Sequence, residues 1–240
     1  MAIILFLIFS SGFWLLANLG QRSNFNWSDW TLGTDQMSAK YCEFTNWEAT
    51  LRQKSNAWSS LAFVLAASWV LATGLHCRKS IKIDSAKFQV LFWILILALS
   101  GYALAMGSFF FHASLTMAGQ KADMGGAYAI LISLIFIFLQ QHLRSCHKTK
   151  SIWLLFAIWV GCVSLTIKLT EYAAGPYLIP FLVGAILLFR KSSASLRPDS
   201  STSDNHLEYL SSAALTCAFI FFELDVLKIA CCPNCVFQFH

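Results

Sequence analysis

Residues 88–112 read FQVLFWILILALSGYALAMGSFFFH. No Asp, Glu, Lys or Arg interrupts this run. It is longer than the about 20 apolar residues that a helix needs to cross a hydrocarbon core. An amphipathic helix of a soluble domain carries one apolar stripe and an opposite polar face. This stretch has no polar face, so it reads as a membrane span over 88–110, and that reading sets the fold class. Near its end stand Ser108 and His112. Four residues apart, they share one face of a helix. Asp123 opens the next apolar run. A hydroxyl, an imidazole and a carboxylate at the mouth of two spans are costly to keep there and mark a candidate site.

The rest of the chain repeats the pattern. Of its 240 residues 57% are hydrophobic and 12% are charged. A soluble domain carries about a quarter charged residues. Further apolar runs cover roughly 3–19, 57–75, 122–140, 152–170, 177–190 and 208–229. The expected fold is all-α, a multi-span transmembrane bundle of about seven helices. The 21 Phe and 9 Trp suit lipid contact and interfacial anchoring. The eight cysteines do not read as a disulfide framework, because Cys162 and Cys217 sit inside apolar runs and Cys77 and Cys146 lie in basic loops. Cys232 and Cys235 have C-x-x-C spacing, but a lone pair is half of what a structural zinc site needs, and coincidence or a disulfide is the plainer reading. The first span lacks the basic leading segment of a signal peptide and is read as uncleaved. The basic loops have no aromatic interleaving, so no nucleic-acid partner is expected.

Basic residues divide the loops into two sets. Arg78, Lys79, Lys82 and Lys87 follow the second span. Arg144, Lys148 and Lys150 follow the fourth, and Arg190, Lys191 and Arg197 stand in or beside the loop after the sixth. The short loops of the other parity hold only Lys121 and, at an edge, Lys168. Basic loops face the cytoplasm. This places the N-terminus inside and puts Ser108, His112, Asp123, Glu43 and His240 together on the non-cytoplasmic face. His76, His142, His147 and His206 fall on the opposite side.

Each candidate also has a plainer reading. His112 suits an interfacial histidine, Ser108 a helix-packing residue, and Asp123 the N-cap of the fourth helix. Tyr41-Cys42-Glu43 and Asn56-Ala57-Trp58-Ser59 flank the second span. They read either as aromatic belt and helix cap, or as oxygen ligands or a hydrogen-bonded clamp over the site.

These segments, with Leu61-Ala62-Phe63 and with Glu223-Leu224-Asp225 before Cys231-Cys232-Pro233, resemble the alkaline ceramidase family of seven-span membrane hydrolases. The resemblance runs from about residue 41 to the C-terminus and divides the chain into 1–40, a span and outer loop, and 41–240, a ceramidase-like membrane domain. It implies a zinc amidase that cleaves ceramide, or a similar lipid amide, to sphingoid base and fatty acid. On that pattern His112 is a zinc ligand, Ser108 helps to hold the reacting carbonyl or the attacking water, and Asp123 accepts the proton. Glu43, Asn56 and Ser59 become supporting or clamp residues. Gln238-Phe239-His240 looks like the approach to an H-x-x-x-H pair, which makes His240 a second zinc ligand. The family pattern continues with another histidine and a final span after the point where this sequence stops. Two readings follow: an active hydrolase, or a non-catalytic relative that binds lipid or a partner. A third lets Cys232 or Cys235 replace the missing ligand. Calcium is not expected, since Lys40 and Gln53 stand where calcium-binding members carry acids.

Overall fold

The computed structural model describes residues 1–23, 26–33, 43, 45–79, 85–145, 152–169, 184 and 187. These residues are all-α. The helices are α1 (Ala2–Arg22), α2 (Lys54–Ser59), α3 (Leu61–Lys79), α4 (Ser85–Ser114), α5 (Met117–Ser145) and α6 (Ile152–Leu169). Five stretches are long and apolar enough to cross a bilayer: α1, α2 with α3, α4, α5 and α6. Helices suit that solvent because they satisfy their own backbone polar groups. The expected span over 177–190 lies outside the described residues except at 184 and 187, and the span over 208–229 lies wholly outside them, as do Tyr41, Cys42, Cys231, Cys232, Cys235 and His240.

Helix α4 is the central element. More than half of its apolar stretch is buried, against about a tenth of that in α1. One face of α1 packs inward through Phe9, stacked on Tyr102 with centroids 4.2 Å apart, and Phe13, 4.9 Å from Phe109. Its other face leaves Ile3, Ile4, Leu7, Ile8 and Leu15 exposed, as lipid contact requires. Helix α3 reaches α4 through a hydrogen bond between the Ser68 and Tyr102 hydroxyls, 2.9 Å long. On the far side, Trp93 of α4, Tyr128, Ile132 and Phe136 of α5 and Leu155 of α6 form a second apolar cluster. There the Trp159 indole donates to Ser133 Oγ at 3.0 Å, so the indole N–H is not left bare among apolar groups.

Among the described helices the α4–α5 pair makes the most extensive contact. Two glycines explain its closeness. A Cβ on Gly107 would lie 2.7 Å from the Asp123 nitrogen and collide with the Ala122 carbonyl. A Cβ on Gly126 would strike the Leu104 backbone. Small residues allow membrane helices to approach at backbone distance. The hairpin turns at Leu115, whose φ of 51° is left-handed. A leucine there is unusual. It is held by full burial of its side chain and by the bond from its N–H to the Phe111 carbonyl.

The end of α4 would expose four unpaired carbonyls, and each has a donor. Leu115 N–H serves Phe111, Gln53 N–H serves His112 at 3.0 Å, and Arg52 N–H serves Ala113 at 3.1 Å. The Arg52 guanidinium donates from Nη1 to the Ser114 carbonyl at 2.6 Å. At the start of α5, Thr116 Oγ1 accepts the Gly119 N–H at 3.2 Å as an N-cap. Residues 31–33 lie antiparallel to this turn: Gly33 N–H reaches the Leu115 carbonyl at 2.9 Å, and Met117 N–H reaches the Thr31 carbonyl at 2.8 Å.

Candidate functional site

Ser108 and His112 both lie inside α4, one turn apart and on one face. Asp123 lies in the second turn of α5, because that helix begins at Met117, earlier than the apolar run at 122 suggests. The N-cap reading of Asp123 is therefore wrong; Thr116 fills that role. Gln120 and Lys121 interrupt the apolar pattern just inside the start of α5 and separate its first residues from the run that follows. Gly107 is the residue that lets the Asp123 backbone approach α4 beside Ser108. The Ser108 hydroxyl donates a hydrogen bond to the Asp123 carboxylate. All three residues are buried, at 7%, 9% and 6% exposure for Ser108, His112 and Asp123, so solvent does little to weaken their interactions.

The segment before α2 closes over the end of α4. His112 Nδ1 stands 2.8 Å from Gln53 Oε1. Gln53 also receives the Asn56 side-chain amide at 3.4 Å and donates from Nε2 to Thr45 Oγ1 at 3.2 Å. Glu43 belongs to the same layer but holds the backbone: its two carboxylate oxygens accept the Ser55 and Asn56 N–H groups at 2.7 and 2.8 Å. A carboxylate on the first N–H groups of a helix satisfies orphan donors and meets the positive end of the helix dipole. Asn56 is buried beside Gln53, and its Oδ1 has no hydrogen-bond partner among the described residues. Ser59 is exposed and returns its hydroxyl to the Asn56 carbonyl at 2.8 Å.

The candidates thus sort into layers. Ser108 and Asp123 are in direct contact, with His112 one turn along α4. Asn56 reaches His112 through Gln53, and Glu43 acts on the start of α2. Arg52 was not anticipated as part of this end of the fold. Besides Ser114 it touches Trp47, with its guanidinium carbon 5.0 Å from the ring centroid. Burial holds its pKa below the ordinary arginine value. Neither Arg52 nor Gln53 carries a local sequence signal, since each acts on residues about sixty positions away.

Among the described residues no three His, Cys, Asp or Glu side chains form a group able to hold a metal ion; His240 lies outside them. His112 fits a ligand role in its own environment, for its Nδ1 is already engaged by an amide oxygen. Metal-binding histidines are commonly oriented in this way through the other ring nitrogen. No protein-family model, curated protein or solved structure matches the chain.

Proposed function

We propose that the chain is a membrane-embedded zinc amidohydrolase of the alkaline ceramidase kind, acting on ceramide or a similar lipid amide. The observation that carries this reading is the pairing of the Ser108 hydroxyl with the Asp123 carboxylate, one helical turn from the buried His112 imidazole. Three chemically different groups converge there at one end of the α4–α5 hairpin. In this reading the fold is the seven-span bundle expected from sequence, with the N-terminus cytoplasmic and the site at the non-cytoplasmic end.

His112 and His240 would hold the zinc ion. Zinc in such a site supplies Lewis-acid polarisation of the amide carbonyl and an activated water. The protein's own groups do the rest. Asp123 takes the proton from the attacking water and passes it to the nitrogen as the C–N bond breaks, so the products leave as a carboxylate and an amine. Ser108 holds Asp123 in place by its present hydrogen bond, and on the family pattern its hydroxyl would also help to hold the reacting carbonyl. Glu43, through α2, and Gln53 brace the end of α4 that carries His112. The lipid amide approaches sideways from the bilayer, so its chains never leave an apolar medium.

The test is zinc per chain and ceramide hydrolysis on detergent-purified protein, with His112→Ala beside it. The expected result is near-stoichiometric zinc and turnover in the parent chain, with both lost in the variant. Unchanged turnover in His112→Ala would overturn the reading. No zinc in either protein would favour a non-catalytic, lipid-binding relative.

A further inference from the structure

His112 is attached to one residue at two points. Its backbone carbonyl takes the Gln53 N–H at 3.0 Å, and its ring Nδ1 lies 2.8 Å from Gln53 Oε1. Gln53 is fully buried, so water does not compete for either bond. Its side-chain amide is oriented by two further contacts: Nε2 donates to Thr45 Oγ1, and Oε1 accepts from Asn56 Nδ2. With an oxygen facing the ring, Nδ1 must carry the proton. A neutral imidazole protonated at Nδ1 has its lone pair on Nε2.

We propose that Gln53 is a positioning residue that fixes His112 as the Nδ1–H tautomer and makes Nε2 its ligating atom. The role deepens the hydrolase reading and rests on it for its use, although the tautomer itself does not. The partner is a neutral amide rather than a carboxylate. It therefore orients the ring without adding negative charge behind it, and a glutamate in its place would raise the basicity of Nε2. The backbone bond from Gln53 holds the helix turn while the side-chain bond holds the ring, so both the position and the rotation of the imidazole are set by one residue.

The experiment uses the full metal-free chain in detergent, labelled with 15N-histidine, with His112→Ala to assign its signals. The expected spectrum shows a protonated Nδ1 and a lone-pair Nε2 for His112. The opposite pattern, which would arise if the Gln53 and Asn56 amides were both turned over, overturns the proposal. Gln53→Glu should keep the Nδ1–H signature, and Gln53→Met should give a mixture of tautomers. A Gln53→Met protein with the parent spectrum would also overturn it. Zinc competition then reads the consequence: affinity for Zn2+ falls about 10–100-fold in Gln53→Met and is restored in Gln53→Glu. If Gln53→Met does not fold, the parent spectrum and Gln53→Glu still decide. The Nδ1–H tautomer in a chain with no affinity for Zn2+ would defeat the hydrolase reading and leave the Gln53 assignment standing.

Discussion

Ser108 separates the plain and the chemical readings of the α4–α5 contact. As a packing residue it would be replaced by alanine without loss, since Ala is equally small and suits a membrane helix interface. As a donor to Asp123 and to a reacting oxygen it has no substitute in alanine. Removing one preorganised donor of this kind costs about 100-fold or more in turnover. Ser108→Ala is therefore expected to retain zinc while lipid-amide hydrolysis falls by about that factor; full activity would return Ser108 to a packing role. Arg52 allows a test of stability at the same scale. Arg52→Met keeps the backbone bond to Ala113 and much of the buried stem, but removes the donor to the Ser114 carbonyl. A buried acceptor left unpaired costs about 1–3 kcal/mol. The variant should melt at a lower temperature in detergent, and an unchanged midpoint would show that the carbonyl finds another donor. The spacing of Ser108 and His112 was legible in the sequence because a helix fixes its own register. The roles of Arg52 and Gln53 were not, because their partners lie on another helix and no periodicity encodes them.

The hairpin of α4 and α5 depends on how closely two backbones approach, and the glycines give that dependence a control. A Cβ on Gly107 meets the Ala122 carbonyl and the Asp123 nitrogen, which are backbone atoms that cannot turn aside. A Cβ on Gly161 of α6 meets nothing within 4 Å. Alanine in the interior of a helix is favoured over glycine by roughly 0.5–1 kcal/mol when space is free. Gly161→Ala should thus hold or raise the melting temperature. Gly107→Ala should lower it and should separate Ser108 from Asp123, so that activity falls with stability. Equal behaviour of the two variants would mean that the close seam is not what brings the site together. At this scale the apolar runs located all five described spans, and hydropathy alone was enough for that. Helix ends were the weaker part. The start of α5 falls at Met117 rather than at 122 because Gln120 and Lys121 interrupt the apolar run just inside the helix, which is capped by Thr116. The clamp over α4 was only partly legible. Glu43 and Asn56 were singled out, but the capping bonds of Glu43 belong to the local fold of residues 43–56 and have no signature in composition.

Across the whole molecule, the charge pattern and the site make one joint statement about sidedness. The loops after the second, fourth and sixth expected spans hold most of the Lys and Arg, whereas Ser108, His112 and Asp123 lie at the opposite end of α4 and α5. The antiparallel course of the hairpin fixes the second half of that statement. The positive-inside rule supplies the first, and the long segment between α1 and α2 weighs little in it because long loops translocate largely regardless of charge. Glu48 is exposed in that segment and belongs to the same end as the site. Ser80 follows Lys79 in the basic loop after α3. Single cysteines placed at Glu48 and at Ser80, in a chain otherwise free of cysteine, should therefore respond oppositely to a membrane-impermeant thiol reagent applied to sealed, right-side-out vesicles. Glu48→Cys should label from outside, and Ser80→Cys only after the bilayer is opened. The reverse pattern would place the Ser108–Asp123 pair at the cytoplasmic surface and its substrate in the inner leaflet. Labelling of both from outside would break the alternation of spans, and with it the expected course of the chain between α1 and α4.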